Sequence, residues 1–234
     1  MIALGAVANA ASVLHDRGMS KRGAGAITPV LVIAAIVVLG IVAVRQLVPG
    51  ADALHAMRAA TIGLLIVWLL LETPLAFRAS SDDQRGEDRG TIRINGLARG
   101  AALVASLAWP PVWTSWNWIQ TAGVLLFVAG FVFRLAAIRE LGRFYSHTVR
   151  RTDGHETIEN GPYRVVRHPA YLGVIAAHLG FAVVFLNVLS ALAVLFLVVP
   201  AFVWRIHVEE PVLMKIPGYP QYARGHARLI PKIW

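Results

Sequence analysis

The chain has 234 residues, 57% of them hydrophobic and only 15% charged, with a mean hydropathy of +0.61. A soluble domain usually carries about 25% charge, so composition excludes an ordinary water-soluble globule and indicates an integral membrane protein. The absence of cysteine excludes a disulfide framework and a thiolate metal site. The formal charge of +9 sits on cations clustered at the ends of apolar runs, which points to membrane topology and anionic headgroups rather than to nucleic acid.

In chain order, residues 1–27 form an N-terminal tail whose apolar patch precedes Arg17 and Lys21-Arg22, the reverse of a signal peptide's order. It reads either as an interfacial helix or as an extension upstream of a start at Met19, and no functional role is assigned to it. Six apolar segments follow, at about 28–48, 54–77, 97–113, 117–137, 170–186 and 188–206. Most approach the roughly 20 residues needed to cross hydrocarbon. The expected architecture is an all-α, polytopic membrane bundle of about six transmembrane segments, the last two forming a hairpin around Leu186-Asn187. Residues 28–137 are expected to form a four-helix scaffold and 138–234 the catalytic region. With the N-terminus inside, 20 of the 22 Lys and Arg fall on the inner side and only Arg45 and Arg58 outside. The positive-inside rule therefore places both termini in the cytoplasm. The outer connection from Pro110 to Trp118 is uncharged and tryptophan-rich, as an interfacial aromatic belt requires.

Within the scaffold, Glu72 stands out, because an ionisable group inside a membrane segment is costly. Two readings stand: it pairs with an arginine of the later site, or it reaches the interface. The loop 80–90 mixes both charge signs and reads as a solvated connector.

Residues 138–169 are too polar to cross a membrane and read as a helix extension to about Gly142 followed by an irregular loop. The fifth helix is expected to start at about Pro169, a residue suited to the first helical position. Free N–H groups there could hold an anion. At the end of the sixth segment Arg205 and Glu209 are spaced i, i+4 and share a helix face, whereas Glu210 lies on another. His178 reads as a helix–helix hydrogen-bonder and His207 as an interface residue. The spacing of the histidines offers no HxxxH pairing, so no metal is expected.

The elements Gly161-x-Tyr163 and Arg167-His168-Pro169-x-Tyr171-x-Gly173 are followed by Arg205, Glu209-Glu210, Leu213, Gly218, Tyr222 and Arg228-x-x-Pro231. Over about residues 139–234 this pattern resembles the isoprenylcysteine carboxyl methyltransferase and phospholipid methyltransferase superfamily. The resemblance implies a membrane-embedded enzyme using S-adenosylmethionine, with a cofactor pocket facing the cytosol and a lipophilic or lipidated substrate entering from the bilayer. Carried over by position, cofactor contacts fall on Arg150, His155, Glu156, Thr157, Ile158, Tyr163, His168, Pro169, Ala170, Tyr171 and Glu209, and substrate binding on Arg205. Arg205 and Glu209 are the expected catalytic pair.

The resemblance thus implies methyl transfer to a lipophilic acceptor, foremost the carboxylate of an isoprenylcysteine-like substrate, in the plasma (inner) membrane with the site on the cytoplasmic face. A carboxylate acceptor is already ionised and needs no general base, only alignment and an arginine to hold it. An amine acceptor would need a base, for which Glu209, Glu210 or His168 would serve. A phospholipid amine methyltransferase, an NADPH-dependent sterol-type reductase sharing the Arg-His-Pro-x-Tyr-x-Gly element, and a non-enzymatic membrane protein of the same fold remain as alternatives.

Overall fold

The computed structural model describes residues 37–42, 44–45, 52–81, 90–145 and 157–234, with the backbone alone at 73–81 and 143. The described elements are helices α1 (Ala53–Ser81), α2 (Thr91–Ala108), α3 (Trp118–Leu141), α4 (Pro169–Val184), α5 (Val188–Leu213) and α6 (Tyr219–Gly225), with 3-10 turns at Gly142–Phe144 and Gly161–Arg164. Residues 37–42 and 44–45 are also helical. Among the described residues, three stretches are long and apolar enough to cross a membrane: Ala53–Glu72, Trp118–Leu141 and Val188–Leu213; Pro169–Val184 is apolar but shorter. Their outward faces carry Leu70, Leu71, Leu125, Val132, Leu195 and Phe196, all exposed. Helices that are apolar all round in this way suit a hydrocarbon surround.

The third apolar segment needs correction. Its helix runs from Thr91 to Ala108, not 97–113. Pro110 disfavours helical geometry at Trp109, which is extended, and the helix begins earlier, directly after Gly90. The sixth segment likewise extends beyond 206 to Leu213, with Pro211 inside the helix. α5 is continuous but not uniform: Val194–Val198 form a π turn between two α-helical stretches. Pro200 has no N–H to give the carbonyl four residues back, and its ring crowds that carbonyl; a wider turn just before it relieves both.

At the end opposite the polar cluster, side chains close the helices. Asn117 caps α3 by accepting from the Ile119 and Gln120 N–H groups. Asn187 caps α5 by accepting from Ser190 N–H at 2.9 Å and donates to the Ala105 carbonyl at 3.1 Å. This reciprocal capping keeps the α4–α5 connection tight, as the Leu186-Asn187 hairpin requires. Arg58 donates to the Trp113 carbonyl at 2.9 Å, and the Trp113 indole donates to the Val183 carbonyl at 2.8 Å.

The core holds Trp68, Phe127, Phe181 and Phe185. α3 and α4 touch backbone to backbone through Gly123 and Gly130 on one helix and Gly173 and Gly180 on the other. A Cβ built on Gly130 would lie 2.5 Å from the Ala177 nitrogen and 2.6 Å from the Gly173 carbonyl oxygen. Among the described residues, His178 makes no hydrogen bond to another helix, contrary to expectation. Its Nδ1 lies 2.9 Å from the Val174 carbonyl of its own helix, and its ring meets Trp68 edge to face. The close α3–α4 seam leaves it facing the Trp68 ring instead of a polar partner.

Candidate active site

α4 starts at Pro169, as its sequence indicates, and the C-terminal segment fixes that start. Val166 pairs with Ala227 in an isolated parallel bridge. Arg167 N–H donates to the Ala227 carbonyl at 2.8 Å and His168 N–H to the Arg228 carbonyl at 3.0 Å. Tyr171 N–H turns to the His168 carbonyl. These bonds use backbone donors that the sequence reading left open for an anion. Tyr222 completes the clamp by donating to the Tyr163 carbonyl at 2.6 Å. Burial pushes the Tyr163, Tyr219 and Tyr222 hydroxyls well above the ordinary phenol range, so each remains a donor.

Tyr171, one turn into α4, joins the two acidic and basic groups of α5. Arg205 Nε donates to the Tyr171 hydroxyl at 2.8 Å, and that hydroxyl donates to Glu209 Oε2 at 2.5 Å. Arg205 Nη1 also donates to Thr91 Oγ1 at 3.0 Å, which brings in the first residue of α2. The i, i+4 pair is thus linked through a phenol and not by direct contact. The His168 ring stacks on Tyr171 with centroids 5.5 Å apart, and its Nδ1 lies 4.0 Å from Glu209 Oε2. Among the described residues, the polar contacts to Glu209 all fall on Oε2, and its side chain is 22% exposed. Tyr171→Phe is expected to cost about 1–3 kcal/mol, because the hydroxyl's hydrogen bonds to two charged groups, Arg205 and Glu209, are lost. Thermal unfolding in detergent checks this; an unchanged midpoint would mean that water replaces the hydroxyl.

Glu210 faces another cluster. Its carboxylate takes Arg167 Nη1 at 2.6 Å, lies 2.8 Å from His168 Nε2, accepts from the Tyr219 hydroxyl at 3.2 Å, and has Arg228 Nε at 3.7 Å. Neighbouring acids on one helix thus face different partners: Glu209 the Tyr171–Arg205 pair, Glu210 the Arg167-His168 segment and the tail.

Glu72 pairs with arginines, which excludes the interface reading. It accepts from Arg134 Nε and from the Trp68 indole at 2.5 Å, and Arg99 lies 3.7 Å away. These arginines belong to α2 and α3; Arg205 is not among the partners.

Of the expected site residues, His168, Tyr171, Arg205 and Glu209 come together. Tyr163 and Ala170 sit in an adjacent buried cluster with Tyr219 and Tyr222, against which Ile158 packs. Pro169 is buried between the two groups. Thr157 donates to the Pro217 carbonyl at 2.8 Å and flanks Gly218. Arg150, His155 and Glu156 lie outside the described residues. Thr91, Arg99 and Arg134 were not singled out by sequence; they are isolated polar residues in or at the start of apolar helices, a weak signal taken one at a time.

An open apolar groove of about 540 Å³ runs between α2 and α5, lined by Leu97, Ala101, Phe196, Pro200, Ala201 and Trp204 among others. Ala201 and Trp204 lie within about one turn of Arg205, and Asn95 of α2 donates to the Ala201 carbonyl at 3.3 Å.

Comparison with known proteins covers this same region. Residues 123–215 match the model of the isoprenylcysteine carboxyl methyltransferase family. The match begins within α3, earlier than the 139 expected from the motifs, and so takes in Gly123, Gly130 and Arg134. Protein-S-isoprenylcysteine O-methyltransferase A of Arabidopsis thaliana is 31% identical over 133 residues, 55% of this chain and 67% of that protein. Protein-S-isoprenylcysteine O-methyltransferase B of the same plant is 33% identical over 111 residues, 46% of this chain and 56% of its own length. The chain therefore spans between about half and two thirds of these relatives. The structure of the eukaryotic intramembrane Ras methyltransferase shares the fold, with a TM-score of 0.58 over 86% of this chain and 75% of that one at 18% identity. A family model covering the helices that hold Tyr171, Arg205 and Glu209, with a relative matched over two thirds of its length, leads to one assignment: the chain belongs to the isoprenylcysteine carboxyl methyltransferase family.

Proposed function

We propose that this integral membrane protein transfers a methyl group from S-adenosylmethionine to the carboxylate of a lipophilic, isoprenylcysteine-like acceptor, at the cytoplasmic face of the plasma (inner) membrane. The observation that carries this reading is the Arg205–Tyr171–Glu209 link, set beside an apolar groove that opens between helices. The donor set fits the cofactor. S-adenosylmethionine carries a sulfonium and an ammonium, and Glu209 offers a partly exposed carboxylate with Oε1 available to a cation. The tyrosine rings at 163 and 171 supply faces that attract cations. When bound, the cofactor supplies an electrophilic methyl group. His168, Pro169, Ala170 and Tyr171 would line it on one side, with Thr157, Ile158 and Tyr163 on another, and Arg150, His155 and Glu156 are proposed to complete the set.

A carboxylate acceptor suits these residues better than an amine. An ammonium must lose its proton to a base, and Glu210 is already paired with Arg167 and hydrogen-bonded to His168, while Glu209 Oε2 already accepts a proton donor. Arg205 can instead fix an anionic acceptor by charge-assisted hydrogen bonding. The groove between α2 and α5 would hold the apolar tail, so the acceptor enters sideways from the lipid.

Calorimetric titration of the detergent-purified protein with S-adenosylhomocysteine and, in parallel, NADPH tests the reaction class. Binding of the first alone is expected; binding of NADPH alone would move the chain to the reductases. Glu209→Ala is expected to abolish cofactor binding. Arg205→Ala is expected to spare it and lose turnover, so a drop in cofactor affinity with normal turnover would remove Arg205 from the acceptor side.

A further inference from the structure

The mechanism above makes no use of the polar cluster buried where α1, α2 and α3 converge. There Glu72, 8% exposed, meets Arg134 and Arg99. A buried ion pair of this kind is weak evidence for stability, since well-packed apolar residues of similar volume often serve as well or better. Its geometry indicates another use. Each of the three guanidinium nitrogens of Arg134 has a different partner: Nε donates to Glu72, Nη1 to the Ala170 carbonyl at 3.3 Å, and Nη2 to the Tyr145 hydroxyl at 3.3 Å. Ala170 lies in the first turn of α4, next to the tyrosine that joins Arg205 to Glu209. Gly173 permits this reach: a Cβ there would lie 2.8 Å from the Arg134 backbone nitrogen and 2.9 Å from its Cβ. An apolar pair could fill the space but could not hold a carbonyl and a phenol at once.

We propose that Arg134, oriented by Glu72, is a positioning residue that holds the first turn of α4, and through it Tyr171 and Glu209, in the arrangement that binds the cofactor. This rests on the methyltransferase reading above. Arg134→Lys keeps a charge beside Glu72 but loses the planar fork needed to reach the Ala170 carbonyl and Tyr145 together. The paired variant Glu72→Met with Arg134→Met removes both charges while keeping side-chain bulk. Both are compared with the full wild-type protein for thermal midpoint and for KM of S-adenosylmethionine and of an S-farnesylcysteine acceptor.

In Arg134→Lys, KM for S-adenosylmethionine is expected to rise by between about tenfold and a hundredfold, the upper figure being what a misplacement of about 1 Å can cost, with KM for the acceptor within about twofold. The paired variant leaves Arg99 without its carboxylate and should lower the midpoint, with the same rise in KM for S-adenosylmethionine. Wild-type cofactor KM in both variants would overturn the proposal. So would a lowered midpoint with unchanged kinetic constants, since that is the outcome of a purely structural role. A wild-type protein that neither binds S-adenosylhomocysteine nor transfers methyl would overturn the methyltransferase reading itself, and this proposal with it, before any variant is made.

Discussion

Glu210→Ala is expected to destabilise the protein by about 3–5 kcal/mol, the range seen when one partner of a buried ion pair is removed. The reason is the number of groups that share this carboxylate. Arg167 would be left largely buried without its counter-charge, and the His168 ring and the Tyr219 hydroxyl would lose their hydrogen-bond partner. Arg228, at 3.7 Å and 33% exposed, adds little, because water can take over its solvation. Glu210→Gln retains an acceptor for Tyr219 or Arg167, so its effect should be smaller. Unfolding midpoints of the three proteins in the same detergent check this order. A Glu210→Ala midpoint equal to wild type would mean that Arg167 relaxes into solvent. The loss should be felt at the start of α4 as well, because Arg167 and His168 are the residues that the tail clamps through Ala227 and Arg228.

Gly130→Ala is expected to weaken the α3–α4 contact by at least about 1–3 kcal/mol, the usual cost of forcing extra volume into a packed interface. The added Cβ would meet backbone, which cannot rotate away as a side chain can: Ala177 N at 2.5 Å and Gly173 O at 2.6 Å. Gly180→Ala meets the same obstacle at the Phe127 nitrogen and the Gly123 carbonyl. Gly96→Ala in α2 is the control, since nothing lies within 4 Å of a Cβ there. A helix interior favours alanine over glycine by about 0.8–1.0 kcal/mol, so this variant should be neutral or more stable. Thermal unfolding of the three single variants decides the matter; equal midpoints for Gly130→Ala and Gly96→Ala would show that the helices separate at no cost. Small residues at such crossings let membrane helices approach closely where no hydrophobic force drives them together.

Features legible in the sequence were local ones. Pro169 announced the start of α4, Asn187 the α4–α5 connection, and the four-residue spacing of Arg205 and Glu209 their common face. The link between those two side chains was not legible, because it runs through a hydroxyl 34 residues from Arg205. The partition of Glu209 from Glu210 was half visible: different faces follow from helical geometry, but the Arg167-His168 segment that Glu210 meets is 42 and 43 residues away. Glu72 was conspicuous as an acid in an apolar run, yet nothing local identified Arg134, 62 residues on, as its partner. The glycine seam did leave a trace. Gly123 and Gly130 repeat at seven residues, as do Gly173 and Gly180, and that matched spacing on consecutive helices could have been read as a crossing.

The π turn at Val194–Val198 adds a phase offset to α5. An ordinary helix advances 3.6 residues per turn, about 100° for each residue, and the wider turn accommodates about one extra residue. The upstream face and the downstream face that carries Arg205 and Glu209 are therefore out of step by about a quarter turn. Losing one residue between 194 and 198 would bring the two faces into step and swing the arginine and both acids away from Tyr171 and Arg167. The compass bearing of the polar end is thus set more than a full turn away, inside the apolar part of the helix, by residues with no polar side chain at all.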